Sequence, residues 1–255
     1  MNLLETWKKW TPSPPHLVLN QDEEFLTKNP DKLVVYNWKS FLQDPCFGLR
    51  GDKKLHLGLI PQPFVGDLKR ASIYILLLNP GLSPSDYYGE YRVPEFRSAL
   101  LNNLKQKWPS GRTPFLFLDP RFSWHEGYKW WNEKLLGVVE ELAKFWNVPL
   151  AEARRKLAGQ LASIELFPYH SKSFGNHNLL NKLQSTKLVR NFVYDQVKRG
   201  KAIVIVTRKA KEWKLPKLAG SRVIQYKPHE ARAAHLTPKS PGGEAILRHL
   251  KSLQP

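Results

Sequence analysis

Apolar residues along the chain fall into short unbroken runs separated by longer stretches of helical period. Residues 71–78, Ala-Ser-Ile-Tyr-Ile-Leu-Leu-Leu, form a nearly continuous apolar run, the pattern of a strand buried on both faces of a parallel sheet. It stops at Asn79-Pro80-Gly81, which cannot continue a strand. Residues 115–118, 162–167 and 201–207 predict three more strands, the last the most β-branched piece of the chain, and 222–226 a weaker fifth. Helical spacing covers 95–107, 132–146, 150–161, 178–199 and 243–253; in the second of these Leu135, Leu136, Val139, Leu142 and Ala143 recur on one face. Long crossovers between apolar strands call for a parallel sheet covered by helices on both faces. The predicted fold is therefore α/β: a three-layer α/β/α sandwich around a central, mainly parallel four-stranded sheet. Residues 1–68, broken by Pro30, Pro45, Pro61 and Pro63, read as a helical and looped arm packed on it, so that 1–255 is one domain.

Composition narrows the partners. The chain has 255 residues, 42% of them hydrophobic, and 40 Lys+Arg against 22 Asp+Glu give a formal charge of +18. Such a balance points to a polyanion (DNA, RNA or an acidic membrane face) unless it serves solubility alone. Nine Trp, nine Tyr and twelve Phe carry more aromatic surface than a disordered chain does. The single cysteine, Cys46, excludes an internal disulfide framework, clustered-cysteine zinc and iron–sulfur clusters. Residues 1–10 lack an uninterrupted apolar stretch and Pro12, Pro14 and Pro15 follow, so neither a signal peptide nor a membrane span is expected and a cytoplasmic, reducing setting is. His170, His177, His229 and His235 show no standard ligand spacing, and no metal is expected.

In doubly wound sheets the chemistry sits just past the C-terminal ends of the strands. Those ends read Leu78-Asn79-Pro80-Gly81-Leu82, then Glu165-Leu-Phe-Pro168-Tyr169-His170-Ser171, then Thr207-Arg208-Lys209-Ala210, and last Lys227-Pro228-His229-Glu230-Ala231-Arg232 running on to His235 and the Gly242-Gly243 start of the final helix. This ordered set resembles the uracil-DNA glycosylase superfamily over roughly residues 60–250. The apolar strand ending in Asn-Pro-Gly is similar to the first motif of its mismatch-specific and single-strand-selective branches. Thr-Arg-Lys-Ala resembles its Gly-Lys-x-Ala position. The last strand followed by His is similar to its second motif, with His229-Glu-Ala-Arg232 where the family has His-Pro-Ser.

The resemblance implies a DNA glycosylase, acting on DNA as a monomer and without cofactor, metal or membrane. It implies that Asn79 holds the attacking water, beside Pro80 and Gly81, and that His229, or else His235, meets the leaving base. Arg232 is then a phosphate clamp or a support of the minor-groove loop; by their position near the strand ends, Arg208, Lys209 and Lys172 are expected to form a phosphate track with Lys182, Lys187, Lys211 and Lys214. Where the family offers an Asn, Glu165 stands; an ionised carboxylate only accepts, and the exocyclic amino group of cytosine is its standard partner. Gly81 stands where the uracil-specific branch closes the pocket with Tyr. Together they point to a 5-substituted cytosine, the alternatives being uracil or a damaged base, an ion-paired Glu165, or a non-catalytic nucleic-acid reader of the same fold. Tyr87, Tyr88, Tyr91, Phe96, Phe167 and Tyr169 are the candidates for stacking on a flipped base, with His170 beside them. Trp124, Trp130 and Trp131, interleaved with Arg121, His125 and Lys129, form an aromatic–basic loop suited to nucleic acid, in which at least one Trp is expected to be core.

Overall fold

A computed structural model describes residues 2–45, 47, 51–216, 222–232 and 235–253, with the Arg232 side chain outside the description; Cys46 lies outside it too. The chain divides into two compact units. The first takes Met1–Phe64, Leu78–Lys107 and Glu165–Phe192, and the second Val65–Leu77, Trp108–Ile164 and Val193–Pro255.

The first unit opens with α1 (Leu3–Lys9), α2 (Asn20–Thr27), β1 (Leu33–Val34), α3 (Trp38–Leu42) and β2 (Leu55–His56). Caps explain where these helices start: the Asn2 side chain accepts from Glu5 N–H, and Asn37 and Ser40 form a reciprocal capping box. Residues 1–68 are thus helical and looped as expected, but also contain strands: β1 and β2 pair in parallel, Leu33 opposite Leu55. Further along, α4 (Pro84–Arg92) begins at a Ser83/Asp86 capping box, and α5 (Pro94–Leu104) follows it with Pro at its first position.

The second unit carries most of a five-stranded sheet of β3 (Phe64–Val65), β4 (Ile73–Leu77), β5 (Leu161–Glu165), β6 (Ile203–Val206) and β7 (Val223–Gln225), in the order β3-β5-β4-β6-β7. Every residue of β4, β5 and β6 is buried, as the unbroken apolar runs of β4 and β6 require; β5 buries Ser163 and Glu165 as well. β4 and β6 are parallel from Ile73 opposite Ile203 to Leu76 opposite Val206, and β6 and β7 are parallel as well. α6 (Glu126–Trp146) buries Trp131, Leu135, Val138, Val139 and Leu142 and ends at Asn147 in the left-handed region (φ 51). It packs against α7 (Leu150–Gln160) and against α10 (Pro241–Ser252), which also lies on β6 and β7. α8 (Gln184–Arg199) and the short α9 (Ala210–Trp213) complete the helices. Among the described residues no helix is long and apolar enough to cross a membrane.

The structure corrects the expected sheet in two places. It has five strands rather than four, because β3, two residues just after Pro63, is too short to leave a period in the sequence. Residues 115–118 are not a strand: Leu116–Leu118 is a 3-10 turn, with Leu118 N–H donating to Phe115 O (2.9 Å) and Asp119 N–H to Leu116 O (3.1 Å). All four side chains are buried, so the apolar run records burial, not extension. Trp131 is 4% exposed and meets Phe115 edge-on at 4.9 Å, which makes it the core member of its aromatic–basic loop.

Gly66, at φ +106, leads out of β3 where a Cβ would lie 2.5 Å from Leu161 O and 3.1 Å from Ala162 Cα. Gly66→Ala is expected to destabilise the protein by about 2–3 kcal/mol. Gly159→Ala, within α7 and with nothing inside 4 Å of the added methyl, is expected to stabilise by about 0.5–1 kcal/mol. Urea unfolding of the two variants checks both signs.

Candidate active site

The candidate site is assembled in the first unit from the segments that follow β4 and β5. Leu78 is buried, and Asn79, Pro80 and Gly81 then emerge half-buried. Gly81 has φ +77, a conformation that disfavours any side chain, and a Cβ built there meets nothing within 4 Å.

On the neighbouring segment Glu165 closes β5, 7% exposed, its N–H donating to Pro63 O (3.0 Å). Phe167 N–H donates to Leu78 O (2.9 Å), so the two segments stay paired beyond the strands. Side chains then tie them together. Asn79 Nδ2 donates to Ser171 O (3.1 Å) and Ser171 Oγ (3.2 Å). His170 Nδ1 lies 3.1 Å from Gly81 O and Nε2 3.3 Å from Ile60 O. A neutral imidazole has one N–H, so both carbonyls are served at once only when His170 is protonated. With its amide N–H groups directed at Ser171, Asn79 has its carbonyl oxygen left to accept from a ligand or water.

A third segment completes the cluster. His56, at the end of β2, bridges to His170 through its backbone (His56 N–H to His170 O, 3.0 Å). Its Nδ1 is 2.9 Å from the Tyr87 hydroxyl, and its buried Nε2 has no hydrogen-bond partner among the described residues. Burial, and next the charge of His170, lower the His56 pKa to about 4. Burial likewise raises the Tyr87 phenol, so both groups are neutral at pH 7. Tyr87 stacks on Phe41 (4.6 Å, 6°) and meets Phe47 edge-on (5.7 Å, 87°). Below it Glu90 accepts from Ile60 N–H, and burial raises its pKa well above the carboxylate range.

The remaining expected residues are placed as follows. Tyr88 is 48% exposed beside Trp38 (6.1 Å), whereas Phe96 is wholly buried on α5. Tyr169 is 1% exposed; its hydroxyl donates to Asp22 (2.7 Å) and accepts from Leu19 N–H (3.2 Å). Both are packing residues where they stand. Lys172 is exposed on the segment after Ser171.

Arg208, Lys209, His229, Arg232 and His235 belong to the second unit. Thr207, at the end of β6, donates to Leu76 O (2.9 Å). Arg208 is half-buried, and Lys209 is exposed at φ 53 as the residue before α9. His229 is exposed ahead of a 3-10 turn, Glu230–Arg232, closed by Glu230 accepting from Lys227 N–H (2.7 Å). His235 is exposed, and its carbonyl accepts from the Tyr226 hydroxyl. Among the described residues no three His, Cys, Asp or Glu are grouped so as to hold a metal ion.

Ser171, His56, Phe41 and Phe47 were not among the residues singled out from the sequence. Ser171 ends the strand-end string and was in view; the other three lie in the N-terminal arm, where only tertiary structure connects them to Asn79.

Acid tests the buried histidine. An unfolded His56 takes its proton near pH 6.5 and the folded one near 4, so its contribution is present above pH 6.5 and is lost as pH falls to 4, by on the order of 3 kcal/mol. Asp22 and Glu90, both raised by burial, act in the opposite sense and are common to wild type and variant. Urea midpoints of wild type and His56→Gln are therefore expected to converge on acidification from pH 6.5 to 4, and parallel curves would contradict the assignment. Compared with known proteins, the chain matches no family model, no curated protein and no solved structure.

Proposed function

We propose that the protein is a DNA glycosylase of the uracil-DNA glycosylase type, with that superfamily's three-layer α/β/α arrangement, acting as a cytoplasmic monomer. It hydrolyses the N-glycosidic bond of a pyrimidine flipped out of DNA and leaves an abasic site. The observation that supports the reading is the fixed amide of Asn79: its Nδ2 donates to Ser171 at 3.1 and 3.2 Å, and Oδ1 is the atom proposed to orient a water.

Cleavage of the bond passes through an oxocarbenium-like sugar, as in glycoside hydrolysis. An amide is a poor general base, so Asn79 orients the water while most of the rate comes from stabilising the departing base anion. The resemblance assigns the donor to that anion to His229, with His235 as the second choice. Glu165 accepts from the exocyclic amino group of cytosine, and the open space at Gly81 admits a substituent at carbon 5. The substrate is accordingly a 5-substituted cytosine, and excision of it from phage DNA would serve defence. Tyr88, exposed beside Trp38, is the aromatic assigned to the base, and Lys172, Arg208, Lys209 and Arg232 are assigned to phosphates.

The test is incubation with DNA carrying uracil, 5-hydroxymethylcytosine or glucosylated cytosine, followed by alkali to cut abasic sites. Breaks are expected with a modified cytosine. Asn79→Ala is expected to lower turnover about 100-fold or more with DNA affinity nearly unchanged, and Glu165→Gln to shift the preference among bases. Breaks on uracil alone would move the reading to repair. No breaks on any substrate, with DNA still bound, would leave a nucleic-acid reader without the chemistry.

A further inference from the structure

Within the first unit, α2 and the loop that follows it face the segment 176–182 across a cavity of about 190 Å³. That is below the roughly 300 Å³ at which sites for drug-sized ligands begin, so its occupant is a small group or the end of a larger molecule. Leu26 and Leu55 are part of its apolar floor, and Lys28, Lys32 and Lys182 stand around it with no acid among the lining residues. Lys28 is partly neutralised by Glu24 at 2.8 Å. Lys32 and Lys182 have no carboxylate partner among the described residues.

Asn176 is what makes this more than a basic surface. It lines the cavity, is 8% exposed, and its Nδ2 is buried with no hydrogen-bond partner among the described residues. It precedes the 3-10 turn His177–Leu179 without capping it through its side chain. A buried amide donor left unpaired is destabilising; a side-chain rotation that brings it to an acceptor oxygen in the cavity removes that penalty. One neutral donor at the wall and three ammonium groups at the rim call for an oxyanion.

We propose that this cavity binds a phosphate group. Two sources share that chemistry: a phosphate of a DNA strand, or free phosphate. The strand is within reach, because Asn176 follows Ser171 by five residues, a span of at most about 18 Å, or about five nucleotides of B-form strand. The site takes no part in the bond cleavage proposed above, and binding is its readout.

The full-length protein is titrated with sodium phosphate, with sodium chloride at equal ionic strength, and with a single-stranded oligonucleotide, while the Asn176 side-chain amide is followed by NMR. That signal is assigned by its loss in Asn176→Leu. A shift with phosphate or oligonucleotide and not with chloride is expected; the oligonucleotide acting at far lower concentration names the strand as source, and phosphate acting alone names the free anion. Asn176→Leu leaves the net charge unchanged, yet is expected to weaken binding about tenfold. Lys32→Gln with Lys182→Gln, both exposed and safe for folding, is expected to weaken it at least as much, against a control of Lys144→Gln with Lys198→Gln. No amide shift with either ligand, or equal losses in the two lysine pairs, would overturn the proposal.

Discussion

The segments that leave β4 and β5 run side by side past the sheet, held there by the hydrogen bond from Phe167 N–H to Leu78 O at 2.9 Å. That pairing places Asn79 against Ser171 and His170 against Gly81. Parallel strands deliver successive segments to the same edge, with each loop free to vary while the strands are locked by burial. The loops here are then stitched to one another, and through His56 to β2, by bonds that a loop alone could not maintain. A carboxamide fixed by two bonds loses little further freedom when it orients a water, which is what a positioning role demands.

Burial decides the electrostatics of this cluster. The chain carries +18 overall, yet three ionisable groups packed near the candidate site are shifted towards their neutral forms: His56 downwards, and Tyr87 and Glu90 upwards, each chiefly through desolvation. The positive charge stands instead on exposed side chains such as Lys172 and Lys182. His56, Tyr87 and Glu90 thus stand neutral and desolvated beside exposed lysines. Hydrogen bonds within such a cluster are also stronger than they would be in water.

How much of this was legible in the sequence depends on what signal each part left. β4 and β6 were readable because strands buried on both faces are apolar at every position, β5 because it is mostly apolar despite the buried Ser163 and Glu165, and α6 because its apolar residues recur at helical spacing. Residues 115–118 misled for the same reason, since a buried 3-10 turn is as apolar as a strand. β3 and β1 are two residues each and leave no period. At the site, Asn79 and Gly81 were found because Asn-Pro-Gly ends a strand. His56 and Phe41 were not, because their tie to Tyr87 spans the gap between the N-terminal arm and α4, and no local pattern encodes such a contact. Phe96 and Tyr169 were over-read: aromatic residues near a motif are packed into the core more often than they are offered to a ligand.

The central claim is that the Ser171-held amide of Asn79 positions a water for base release. The most direct measurement is single-turnover release of free base from DNA containing a 5-substituted cytosine, followed by mass spectrometry, for wild type and Ser171→Ala. The account predicts that wild type releases the base, and that the variant does so about tenfold or more slowly while binding the same DNA equally well. No free base from wild type, or equal rates in the two proteins, would contradict it.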